Sequence, residues 1–377
     1  MERLVIEPRP DWRAHVEHDL GFVFHTIDGK PYWDETACYR FEAEQIDEIE
    51  EATRELEQLA LDLVDRVVQQ GPEAYGRLRI PEAAWPAIEG SWRGQEKNLY
   101  GRFDLRYDGE APPKLLEYNA DTPTALFEAA VVQWDWLQAV KPEADQFNSI
   151  HERLIEAWKN FDILRERVYF SAVKDHAEDN GTIEYLRDTA TQAGIDSARI
   201  AVEEIGWDGK QFLDLENRRI GVLFKLYPWE WLLGEAFGPH LLKGVVRVVE
   251  PPWKMILSNK AALALLWELA PGHPNLLPAS LEQPNEIEGT VVRKPIYSRE
   301  GANLQVLEGG RVVTETPGGY GAEGFVYQQY VELPSFGGNY PVVGSWVVAS
   351  QPAGMGLRED TTPITRDTSR FVPHFFE

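Results

Sequence analysis

Residues 99–124 read LYGRFDLRYDGEAPPKLLEYNADTPT, and this stretch constrains the fold more than any other in the chain. The runs Tyr100 to Tyr107 and Lys114 to Asn119 alternate apolar with polar side chains, and Asp108-Gly109 and Pro112-Pro113 lie between them. That is the pattern of a β-hairpin with a loop. Residues two apart on a strand share a face, so Arg102 projects with Asp104, and Glu117 projects with Asn119. If the two strands pair through the loop, Asp104 and Glu117 come within reach of one another. After Thr124 the run ALFEAAVVQWDWLQAV has a helical pattern, which puts the carboxylates where a hairpin meets the start of a helix.

Two carboxylates and an amide oxygen make a hard, oxygen-only donor set. Mg²⁺ takes such a set, with waters and phosphate oxygens completing its octahedron. The same residues fit two other readings: the wet side of a surface hairpin, or the acid pair of a glycoside hydrolase. Overall charge narrows the partners. With 62 acidic against 37 basic side chains and a net charge of −25, the chain is a poor binder of nucleic acid or anionic membrane. A single cysteine, Cys38, allows no internal disulfide and fits a reducing compartment. No signal-peptide run and no apolar stretch of about 20 residues occurs, so the expectation is a soluble, cytoplasmic protein.

Elsewhere the pattern divides the chain. The first forty residues, rich in Trp, Pro and Tyr, read as irregular covering structure. From Arg40 to Gly71 apolar residues at Ile46, Ile49, Leu56, Leu59 and Leu63 keep a helical period, and Gly71-Pro72 ends it. Between about Arg167 and Val249 strand-like and helix-like runs alternate, which predicts a small α/β domain with a mainly parallel sheet. Pro251-Pro252 marks a boundary, followed by a helix and a β-rich end with Gly-rich turns. The expected division is residues 1–165, a helical region plus the hairpin; 166–250, the α/β domain; and 251–377, the C-terminal region.

That last region holds the cations. Lys260 precedes a helix, and Lys294 lies on a strand leading into the polar loop SREGAN. A lysine so placed is a compact charge for phosphate, although no P-loop motif is present. The strand GFVYQQYVELP offers backbone groups and an aromatic wall at Gln328, Gln329 and Tyr330 for a purine, and is equally an ordinary core strand. In GMGLRED, Arg358 follows a glycine pair: an arginine on a glycine-rich turn can stabilise a transferring phosphoryl group, and it is equally a plain turn arginine. Taken together these residues form an ATP-using constellation.

In the same order, RFDL…KLLEYNADTPT, NKAALALLWEL, VVRKPIYSREGANL, VYQQYVELP and GLRED resemble the synthetase domain of the glutathionylspermidine synthase family, over essentially the whole chain. The resemblance implies an α/β (α+β) architecture: a permuted ATP-grasp fold with a small, pre-ATP-grasp-like substrate domain. The expectation is the stand-alone type, without the amidase domain of the bifunctional members. It makes Asp104, Glu117 and Asn119 the Mg²⁺ ligands, and Arg102 and Arg358 the stabilisers of acyl-phosphate chemistry. Lys260 and Lys294 would hold the ATP phosphates, Gln328 and Gln329 would border adenine, and Ser298 to Asn303, with Gly301, would form a lid. Thr122 and Thr124 stand where the family has serines for glutathione. Leu226 and Trp231 stand where it has threonines, so two hydroxyls are replaced by bulk. Glu178 and Asp179 would receive the amine.

The implied function is an ATP- and Mg²⁺-dependent ligase that joins a peptide-like acid to a polyamine-like amine through an acyl phosphate, without being an authentic glutathionylspermidine synthase. The competing reading is a non-catalytic ATP-grasp-like protein that binds nucleotide and regulates a partner. Oligomeric state is left open.

Overall fold

The computed structural model describes residues 1–27, 29–163, 166–282, 287–299, 301–364 and 369–377. The expected boundary residue 165, and Glu300 inside the expected lid, lie outside them. The fold is mixed α/β, built around three larger sheets.

The hairpin forms as expected, Tyr100–Arg106 against Lys114–Asn119, with Asp104 opposite Glu117, Arg102 opposite Asn119, and a bulge between Asp104 and Leu105. It does not stand alone. Tyr100–Arg106 also pairs with Tyr340–Val348, which continues through Gln351–Asp360 to Arg370–Val372, giving a five-stranded antiparallel sheet. The hairpin's inner face is apolar, with Phe103 and Tyr118 stacked at 3.9 Å. The helix Ala43–Gln70 lies against this sheet, burying Ile46, Ile49, Leu56, Leu63 and Val67. Thr53 meets Ser345 at 2.7 Å, and the Tyr118 hydroxyl donates to Glu57 at 2.8 Å.

Residues 168–249 form the expected parallel sheet, in the order Arg247–Val249, Val222–Lys225, Val168–Ala172, Ser197–Ala201, with the helix Ala177–Gln192 as one crossover. The third sheet is antiparallel: Ala279–Ser280, Phe325–Gln329, Val291–Pro295, Gln305–Glu308 and Arg311–Glu315. Among the described residues no helix is long and apolar enough to cross a membrane.

Two expectations are corrected. The first forty residues are not simply irregular: Glu2–Val5 pairs with Ala37–Phe41, which pairs in parallel with His374–Phe376 near the other end of the chain. Strands this short carry too few alternations to register as a pattern, and the third strand joins from the far end of the chain. Arg358 does not sit on a turn but inside the ten-residue strand Gln351–Asp360. The glycines before it clear space rather than bend the chain: a Cβ at Gly356 would lie 2.3 Å from the Phe371 ring.

His374 is fully buried where this terminal sheet meets the helix Gln133–Val140. Its Nδ1 lies 2.9 Å from Gln133 Oε1, Nε2 has no hydrogen-bond partner among the described residues, and Phe41 packs edge-on at 6.1 Å. Burial pushes its pKa down to about 3. The folded state therefore holds it neutral while the unfolded chain takes up a proton below about pH 6.5, so its stabilisation is complete above that pH and is lost as pH falls toward 3. Replacing His374 with Phe should shrink the stability difference between pH 7 and pH 5 by about 2 kcal/mol, read from urea unfolding. An unchanged difference would refute the assignment.

Candidate active site

The two antiparallel sheets meet at the hairpin's outer strand. Lys294 Nζ donates to the Leu116 carbonyl at 2.8 Å and to Gln328 Oε1 at 2.7 Å, while Gln328 Nε2 donates to the Leu115 carbonyl at 2.9 Å. Where they join, and where the parallel sheet closes the third side, lies a cavity of about 410 Å³. Its walls include Arg102, Asp104, Glu117, Asn119, Thr122, Thr124, Asp179, Lys260, Lys294, Ser298, Gly301, Gln328, Gln329 and Arg358. Of the residues singled out from sequence, Glu178 is not among the lining residues. It opens the helix beside Asp179 and faces the buried Glu128 and Tyr32 electrostatically.

Charge dominates one end. Asp104, buried, accepts from Arg102 at 2.6 and 3.2 Å and from Arg358 at 2.6 Å. Gly344, opposite Asp104 on the next strand, makes room for Arg102, whose Cδ would lie 2.9 Å from a Cβ there. Arg102 also donates to the Thr124 carbonyl at 2.7 Å and lies over the Trp346 ring at 5.5 Å. Glu117 Oε2 is 3.2 Å from Lys260 Nζ, which donates to the Ser298 carbonyl at 2.7 Å. Burial alone would raise the Glu117 pKa, but Lys260 and Lys294 together hold it well below the usual carboxylate range. Burial lowers Lys294 to about 8, with Glu117 opposing that fall. Four cations thus surround two carboxylates, an excess of two positive charges.

This donor set fits a divalent cation that arrives with an anionic ligand. Asp104 and Glu117 supply carboxylate oxygens, and Asn119, whose amide nitrogen lies 3.3 Å from Asp104 and 3.4 Å from Glu117, would present its oxygen after an amide flip. The surplus positive charge disfavours a bare cation and favours a polyphosphate carrying one.

Sequence reasoning passed over three residues here. The Asp121 carboxylate forms a buried ion pair with Lys225 and accepts from Trp229 N at 2.9 Å, tying the hairpin's end to the parallel sheet. Arg299, in the SREGAN loop, donates to Thr122 Oγ1 at 2.9 Å and to Glu230 at 3.0 Å and lies over Trp231 at 5.2 Å. Glu128 sits fully buried on a π-helical turn, accepts from the Tyr32 hydroxyl at 2.7 Å, and is raised to about 8 by burial and by Glu178. An acid inside the apolar run ALFEAAVV was the available signal for it.

The family profile described as "Glutathionylspermidine synthase preATP-grasp" matches residues 3–377. The chain belongs to the glutathionylspermidine synthase family. By family it is a carbon–nitrogen ligase of the acid–amine class. A Haemophilus influenzae protein named provisionally as an acid–amine ligase is 44% identical over 98% of this chain and 97% of its own length. Trypanothione synthetase of Crithidia fasciculata is 28% identical over 78% of this chain, and the bifunctional glutathionylspermidine synthetase/amidase of Escherichia coli 29% identical over 86%. This chain spans only 50% and 57% of those two relatives. Among solved structures, a glutathione synthetase-like effector from Globodera pallida aligns over 90% of this chain and 89% of its own with a TM-score of 0.53 at 9% identity, a likeness of fold alone. Along this chain the hairpin acids precede both Lys260, just before the helix Ala262–Leu269, and Lys294, on the third sheet.

Proposed function

We propose that this chain is an ATP- and Mg²⁺-dependent acid–amine ligase with a permuted ATP-grasp arrangement. Residues 1–165 carry the helical region and metal hairpin, 166–250 the substrate domain, and 251–377 the nucleotide-binding region. The observation that carries the reading is the convergence of Arg102, Arg358, Lys260 and Lys294 on the carboxylates of Asp104 and Glu117 in one cavity.

Lys260 and Lys294 hold the triphosphate, with Gln328 and Gln329 bordering the adenine and Ser298 and Gly301 in the covering loop. Asp104, Glu117 and Asn119 hold Mg²⁺, which when bound offsets charge on the phosphate oxygens. Arg102 and Arg358 stabilise the charge that develops as a substrate carboxylate oxygen takes the γ-phosphoryl group and ADP leaves. Thr122 and Thr124 orient the peptide-like acid. The amine nitrogen, neutral after giving up its ammonium proton to solvent, then attacks the acyl carbon; the C–N bond forms, the C–O bond to phosphate breaks, and phosphate departs with the remaining N–H proton. Asp179 and Glu178, backed by Glu128, suit an amine that arrives as an ammonium, as a polyamine does.

The test is ADP release by the purified protein with Mg²⁺-ATP across a matrix of carboxylates and amines. Release that requires one acid and one amine together supports the ligase. Nucleotide binding with no release for any pair would move the chain to the regulatory, non-catalytic reading.

A further inference from the structure

The cavity end formed by the parallel sheet has a different chemistry from the phosphate end. Leu226, Tyr227, Pro228 and Trp231 make one continuous apolar wall there. Trp231 is 41% exposed with Arg299 over one side of its ring at 5.2 Å, and it meets Tyr227 edge-on with centroids 5.4 Å apart. Tyr227 is itself fixed, its hydroxyl donating to Glu235 at 3.0 Å. A half-exposed indole on the wall of a cavity, beside a fixed phenol, is apolar surface that a bound group can cover.

The cavity's cations are unevenly placed. Arg102 and Arg358 are drawn to Asp104, and Lys260 and Lys294 to Glu117. At the aromatic end the cation lining the cavity, among the described residues, is Arg299, with the titratable His176 3.3 Å from Asp179. Glu230 already neutralises Arg299 at 3.0 Å. Among the described residues, a second carboxylate brought to this end would lie beside Glu230 and Asp179 with no further lysine or arginine lining the cavity to pair with. Burying an unpaired charge next to like charges is strongly unfavourable.

Resting on the ligase reading above, we propose that the acid substrate is a monocarboxylic acid whose distal part is apolar or aromatic. Its carboxylate points to Arg102 and Arg358, its polar middle meets Thr122, and its distal group packs on Trp231, Tyr227 and Leu226. Trp231 is then a specificity-determining residue.

The acid can be tested without knowing the amine. Hydroxylamine replaces it: its nitrogen attacks the acyl phosphate carbon, phosphate leaves, a proton passes to solvent, and a hydroxamate accumulates. Initial rates with Mg²⁺-ATP and hydroxylamine are compared for N-benzoylglycine and N-(phenylacetyl)glycine against the dicarboxylates N-succinylglycine and glutathione. The aromatic monocarboxylates are expected to exceed the dicarboxylates by about tenfold or more in kcat/KM, and Trp231→Ala should reduce that ratio by about tenfold while Trp231→Phe keeps most of it. Preference for either dicarboxylate, or an unchanged ratio in Trp231→Ala, overturns the proposal and leaves the ligase standing. Hydroxamate from none of the acids, with ATP binding intact by calorimetry, overturns the ligase reading and this proposal with it.

Discussion

Asp104→Ala should lose ADP production by about a thousandfold or more while its circular dichroism spectrum stays native. The size follows from how much converges on one carboxylate. Asp104 is a proposed metal ligand and also the partner that orients both Arg102, at 2.6 Å, and Arg358, at 2.6 Å. Losing it misplaces two cations as well as one oxygen, and misplacement alone is costly when charge develops at a fixed point. ATP binding should respond differently. Removing a negative charge raises the site's positive excess, so metal-free ATP should bind the variant at least as tightly as the wild type, and wild-type protein should take up little Mg²⁺ in the absence of nucleotide. Calorimetric titrations with ATP, with Mg²⁺ and with both would show this. Full ADP production by a folded Asp104→Ala protein would end the metal assignment, and parallel loss of ATP binding and turnover would recast Asp104 as a scaffold residue.

What could be read from the chain follows the range of the interactions involved. The hairpin was legible because its signals are local: alternation, an Asp-Gly turn, and acids spaced by two that face each other as Asp104 and Glu117. The parallel sheet was legible because strand and helix periods alternate within residues 168–249. The terminal sheet was not, since Glu2–Val5 and His374–Phe376 are united only through Ala37–Phe41. Arg358 was misplaced because glycines were read as turn formers, whereas Gly356 is the shape left by Phe371. The residues at the charged end of the cavity were named through motif resemblance, and they do come together. The residues passed over, Asp121, Arg299 and Glu128, owe their importance to partners far along the chain: Lys225, Glu230 and Tyr32.

Asp121 therefore carries the second large expectation. Its carboxylate and the Lys225 ammonium are each only 1% exposed, and the pair sits under the Trp229 ring, 4.9 Å from the ammonium. Burial lowers the Lys225 pKa, and Asp121 is the main influence raising it back. Asp121→Ala leaves an unpaired buried lysine and an uncapped Trp229 N, and should destabilise the protein by about 3–5 kcal/mol in urea unfolding. A loss below about 1 kcal/mol would show that the pair is no staple. The double variant Asp121→Leu/Lys225→Met separates the two consequences of the pair. A buried ion pair replaced by apolar residues of similar size is often neutral in stability, so the double variant should recover most of what Asp121→Ala loses. Function should not recover with it. The bond from Asp121 to Trp229 N fixes where the segment holding Glu230 and Trp231 stands relative to Thr122 and Thr124, and a leucine cannot accept that bond. A stable double variant with a raised KM for the acid and an unchanged KM for ATP would show that Asp121 is kept to position one substrate against the other. Recovery of both stability and the acid's KM would show instead that the pair serves the fold alone.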